Sequence, residues 1–116
     1  MLDAEAMRQL AAHCRAHGRR LAFLDTWTAL SPTADPLNAK DQAALATVVT
    51  TLAEAIEGVV VVVDHARKNP DDGPLSTAEI FGPSQKAQRA EHMVLLRRLK
   101  DDPRRVEVFI DSKDLD

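Results

Sequence analysis

Five consecutive valines at positions 59–63 constrain the fold more than any other stretch of this chain. β-Branched side chains are stiff at χ1 and fit a pleated sheet better than a helix. The run does not alternate apolar with polar residues. That pattern predicts an inner strand buried on both faces, in a sheet covered by helices. Burial of each valine would contribute roughly 1.5–3 kcal/mol. The chemistry then changes abruptly to Asp64, His65, Arg67 and Lys68. Ligands of open α/β sheets bind beyond the carboxyl ends of the strands, so Asp64, His65 and Lys68 fall where a site would form.

Length predicts a single domain over residues 1–116. A content of 45% hydrophobic and 28% charged residues is that of an ordinary soluble globular protein. The net charge of −3 gives no general drive toward nucleic acid or an anionic membrane. One cysteine, Cys14, excludes an internal disulfide framework and fits a reducing, cytoplasmic compartment. No stretch approaches the ~18 apolar residues of a membrane span, and the mixed, acidic start is unlike a signal peptide. The four glycines (18, 58, 73 and 82) form neither G-x-x-x-x-G-K-[ST] nor G-x-G-x-x-G, so no phosphate cradle is present.

Residues 3–17 have helical spacing, with Asp3 as N-cap and Gly18 as the C′ residue. His13, Cys14 and His17 invite a metal reading, but no further ligands converge there, and histidines near helix carbonyls explain them better. Leu21-Ala22-Phe23-Leu24-Asp25 is a second short strand with a carboxylate at its tip. Such an Asp can hold Mg²⁺ through water beside a phosphate, or it can cap the following turn. Residues 26–40 are a loop from which Trp27 and Leu30 fold back onto the core. A helix over 41–57 follows, with Asp41 as N-cap, a stripe of Leu45, Val48, Val49, Leu52 and Ile56, and Gly58 at C′. Strand, helix and strand make a parallel, right-handed βαβ unit, which brings Asp25 and His65 to one sheet edge.

Residues 69–83 are a long loop, 84–91 a short helix carrying Lys86 and Arg89, and 93–99 and 106–110 an antiparallel hairpin. Residues 111–116 are expected to be a loose tail. Arg97, Arg98, Lys100, Arg104 and Arg105 cluster on the hairpin. They suit a phosphate or nucleic-acid contact, or a charged edge protected from aggregation; Asp101, Asp102 and the lack of interleaved aromatics favour the latter.

These segments together resemble the C-terminal half of RecA-like P-loop ATPases, in particular the hexameric RepA-type ATPases of the AAA superfamily found in plasmids and phages. The resemblance spans about residues 19–114. Residues 21–25 resemble the Walker B strand. Asp41-Gln42 and the helix after it resemble the following segment. Val-Val-Val-Asp-His-Ala-Arg-Lys at 61–68 resembles a strand followed by a histidine pair and a basic residue, with Asp64 in place of the first histidine. Phe-Gly-Pro-Ser-Gln-Lys at 81–86 resembles the Gly-Ser-rich segment, with Pro83 in place of a small residue. Residues 112–116 resemble the closing strand.

The resemblance implies a partial RecA-like sheet with helices on its faces and a C-terminal antiparallel β-hairpin. It implies that Asp25 positions Mg²⁺ and that His65 senses the γ-phosphate of ATP. Asp64, Lys68, Lys86 and Arg89 would contact nucleotide, a neighbouring subunit or single-stranded DNA. The Walker A loop and the water-activating carboxylate lie upstream of the matched segment in that family. Without them the chain alone is not expected to hydrolyse ATP. Three readings follow. The chain is part of a homo- or hetero-oligomeric ATPase, or a non-catalytic module that binds an intact one, or an unrelated enzyme using Asp25, Asp64 and His65 as an acid–base cluster. The third lacks a nucleophile motif such as a G-x-S-x-G elbow.

Overall fold

The computed structural model describes residues 3–30, 33, 35, 38–65 and 90–113. The chain is mixed α/β and divides into two compact units, Met1–His65 and Ala66–Asp116. The first unit contains α1 (Ala4–Ala16), β1 (Leu21–Asp25), α2 (Trp27–Leu30), α3 (Ala39–Ala55) and β2 (Val59–Val63). The second contains β3 (His92–Arg98) and β4 (Val106–Ser112).

In the first unit, Asp3 caps α1 by accepting from the Ala6 N–H at 2.8 Å. Arg8 lies 2.6 Å from Glu5 one turn away, and its hydrogen bond to this exposed carboxylate, aided by Gln9, holds the Glu5 carboxyl below its usual range. The helix ends in a left-handed turn at Gly18, φ +65°. There Gly18 donates to the Arg15 carbonyl and Arg19 to the Cys14 carbonyl.

The N-terminus of α3 differs from expectation. Asn38 is the cap, accepting from the Asp41 N–H at 3.1 Å. Asp41 instead sits in the first turn, where a carboxylate suits the helix dipole, and accepts from the Asp35 N–H at 3.0 Å. The expected loop over 26–40 also contains the single-turn helix α2.

The C-terminus of α3 differs too. Glu57, not Gly58, takes the left-handed position, at φ +49°. Glu57 donates to the Glu54 carbonyl and Gly58 to the Ala53 carbonyl, repeating the end of α1 without a glycine at C′. Gly58 serves another purpose. A Cβ there would lie 2.0 Å from the Arg20 carbonyl oxygen, so only glycine lets the two backbones approach.

That approach starts the sheet. β1 and β2 pair in parallel, with Leu21 opposite Val59, Phe23 opposite Val61 and Asp25 opposite Val63. Ala22, Leu24, Val60 and Val62 pack with Met7, Ala11 and Cys14 of α1 and with Leu52 of α3 and Ile56. The expectation that the valine run is buried on both faces is therefore corrected. Val59, Val61 and Val63 are 58%, 37% and 39% exposed, because both long helices cover one face and no described element of this unit covers the other.

In the second unit, β3 and β4 are antiparallel, with Leu95 opposite Phe109 and Leu96 opposite Val108. The turn is closed by Arg105 donating to the Asp102 carbonyl at 3.0 Å. Of the tail expected over 111–116, residues 114–116 lie outside the described residues. Asp111 and Ser112 continue β4, and Lys113 donates to the Glu91 carbonyl at 3.0 Å. Of the helix expected over 84–91, residues 84–89 lie outside the described residues, and Ala90 and Glu91 are not helical.

Two neighbouring substitutions should act in opposite directions. Gly58→Ala should lose more than about 2 kcal/mol by forcing apart the backbones of Arg20 and Gly58. Glu57→Gly should gain about 1 kcal/mol by relieving the left-handed residue. Urea unfolding midpoints at unchanged m-value measure both.

Candidate functional site

Parallel pairing brings the carboxyl ends of β1 and β2 to one edge of the first unit. Asp25 is the last residue of β1. Asp64 and His65 follow β2 directly. The sequence thus places three of its candidate residues at one edge, as the βαβ reading requires. Lys68, Lys86 and Arg89 lie outside the described residues.

Strand alternation decides which face of the edge carries Asp25. Leu21, Phe23 and Asp25 are exposed, whereas Leu24 is buried against the helices. Asp25 therefore stands at the rim of the uncovered apolar face, beside Val63. That face holds Leu21 (55% exposed), Phe23 (66%) and the three outward valines.

Capping does not account for Asp25. The residue that caps α2 is Thr26, whose Oγ1 accepts from the Ala29 N–H at 3.3 Å and whose carbonyl accepts from the Leu30 N–H at 3.1 Å. The peptide bond between Asp25 and Thr26 is cis. Asp64 is engaged locally, its Oδ1 accepting from the His65 N–H at 2.9 Å. His65 itself is exposed.

Next to Asp25 in the chain, the segment after β1 is tied to α3 through Trp27 and Gln42, the latter without a side-chain role in the expectation from sequence. Trp27 Nε1 donates to Gln42 Oε1 at 2.7 Å, and Gln42 Nε2 donates to the Asp35 carbonyl at 3.2 Å. Trp27 is packed with Leu45 and Ala46 of α3. The buried amide thus joins the segment after β1 to α3. A lone glutamine inside a helix, one residue after an exposed-looking Asp, offers little sequence signal for this role.

Among the described residues no group of three or more His, Cys, Asp or Glu side chains could hold a metal ion. His13 and His17 stack at 4.3 Å between ring centroids, and His17 Nδ1 lies 2.9 Å from the His13 carbonyl oxygen. Mg²⁺ beside a phosphate needs only one or two carboxylates and several waters, and Asp25 suits that arrangement. Among the described residues this edge therefore forms no metal cage of its own.

The basic hairpin is partly neutralised. Arg97 lies 2.6 Å from Glu107 across the strands, and Arg104 lies 3.3 Å from Asp102 in the turn. Arg97 and Arg104 thus have carboxylate partners on their own hairpin, which favours the protected-edge reading.

Asp25→Ala should change stability by less than about 0.5 kcal/mol, as an exposed residue outside the cap. Gln42→Leu should cost about 1–3 kcal/mol by leaving a buried indole N–H without its amide acceptor. Chemical denaturation followed by the emission of Trp27 compares the two. Comparison of the chain with family models, curated proteins and solved structures gives no match.

Proposed function

We propose that this chain acts as the C-terminal part of a nucleotide-dependent, DNA-associated RecA-like ATPase, contributing the Mg²⁺-associated carboxylate Asp25 and the phosphate-sensing His65. The observation that carries this reading is the parallel β1–β2 pair, which sets Asp25 and the Asp64-His65 step at one strand edge. The availability of Asp25, which Thr26 relieves of capping, adds support.

The mechanism follows from what these residues can do. Bound Mg²⁺·ATP supplies the electrophilic phosphoryl group and its charge. Asp25 is the residue that would hold Mg²⁺, through water, beside the phosphates. His65, two residues past the register partner of Asp25, can donate a ring N–H to a phosphate oxygen. Neither residue replaces the backbone cradle and lysine on which phosphoryl transfer depends. The 116 residues contain no G-x-x-x-x-G-K-[ST] motif, so in this reading another segment or subunit supplies the cradle. Homo- or hetero-oligomeric assembly in the cytoplasm, with single-stranded DNA as a further partner of Lys68, Lys86 and Arg89, belongs to this reading. Among the described residues no helix is long and apolar enough to cross a membrane.

A second reading has its own observation. The uncovered face of Leu21, Phe23, Val59, Val61 and Val63 suits a non-catalytic module that docks on an intact ATPase.

An NMR titration of the pure chain with Mg²⁺ and a non-hydrolysable ATP analogue tests the first reading. Amide shifts should be weak, in the millimolar range, and confined to Asp25, Asp64, His65 and their neighbours. Asp25→Ala should abolish the Mg²⁺-dependent part. Shifts located elsewhere, or none at saturating analogue, would overturn it. Phosphate release from the pure chain should stay at the blank. Steady release lost on Asp25→Ala would overturn the expectation that the chain is inactive alone.

A further inference from the structure

The β3–β4 hairpin is a two-stranded ribbon, and among the described residues no third strand pairs with it. Isolated ribbons of this kind are marginal in water, and an open strand edge is a template for pairing. The inner edge of β4 is identified by two hydrogen bonds: Leu99 donates to the Arg105 carbonyl, and Lys113 to the Glu91 carbonyl. Odd-numbered residues of β4 therefore turn their backbone groups toward β3. By the alternation of antiparallel ladders, Val106, Val108 and Ile110 turn theirs outward.

We infer that a second copy of this chain pairs antiparallel with the outer edge of β4, about a two-fold axis at Val108, to form a four-stranded sheet. Only a Val108 centre pairs Val106, Val108 and Ile110 wholly with one another, and its charges are complementary. With Val108 opposite Val108, Val106 meets Ile110, Glu107 meets Phe109, and Arg105 meets Asp111 at both ends. Centring the pair on Glu107 sets two glutamates opposite each other. Centring it on Phe109 sets Glu107 opposite Asp111. Like charges directly opposite are destabilising, whereas opposite charges and β-branched pairs stabilise. The Val108 register also aligns the outward N–H and C=O groups of Val106, Val108 and Ile110 for bonding. Arg105 and Asp111 are both exposed and stand on one face, while Val106, Val108 and Ile110, at 53%, 56% and 59% exposure, stand on the other. The contact is isologous and closes as a dimer, so it does not propagate into a fibre. It uses no residue of the nucleotide reading and is independent of it.

Light scattering of the full chain across a concentration series, with far-UV circular dichroism as the folding control, tests the pairing. A dimer is expected; a monomer at every concentration would overturn the inference. Val108→Pro removes an N–H that the hairpin does not use, and it should weaken dimerisation at least tenfold while the fold persists. Should that variant lose its fold, the charge variants decide. Asp111→Arg should weaken the dimer roughly tenfold by placing arginines opposite each other twice. Adding Arg105→Asp should restore it. A folded Val108→Pro dimer of unchanged strength, or a folded double variant without recovery, would overturn the register.

Discussion

The Arg20 carbonyl carries the architecture of the first unit. It accepts the Val59 N–H at 2.9 Å, and the missing side chain of Gly58 allows the contact. This one bond sets the register of β1 against β2. A slip of one residue would turn every side chain of the strand to the opposite face. The helices would then meet Val59, Val61 and Val63 instead of Val60 and Val62, and Val63 would no longer lie opposite Asp25. The Arg20 side chain reinforces the same point. Its guanidinium donates to the Glu57 carbonyl through Nε at 2.9 Å and Nη2 at 2.5 Å.

Periodic features were legible in the residues. The stripe of α1, the stripe of α3, both parallel strands and the hairpin arise from local spacing, which sequence displays directly. Asp25 and His65 were legible as neighbours because a βαβ crossover leaves little choice of edge. Features set by packing were not legible. An unbroken valine run has the same composition whether one face or two are covered, and only the placement of α1 and α3 on the Val60–Val62 side distinguishes them. Glu57 at positive φ defied the preference for glycine because its neighbour Gly58 was needed for closeness rather than for conformation. The Trp27–Gln42 bond joins residues fifteen positions apart and depends on how α2 folds back.

Polar groups in the described parts of this molecule divide into two populations. Asp3, Asn38 and Thr26 cap helices, while Gln42 satisfies a buried indole. Arg97 and Arg104 are matched by carboxylates on their own hairpin. Asp25 and His65 belong to a different group, exposed at a strand edge and outside the caps of the adjoining helices. Structural need explains the first population fully. It does not account for the second.

The parallel pair is fastened unequally along its length. At its base, Arg20, Glu57 and Gly58 join backbone to backbone and side chain to carbonyl. At its tip, β1 runs into a single-turn helix and β2 into the Asp64-His65 step. Opening of the pair therefore starts at the tip and proceeds toward the base, much as a zip runs from its loose end. Amide protons near Val63 should therefore exchange with solvent sooner than those near Val59.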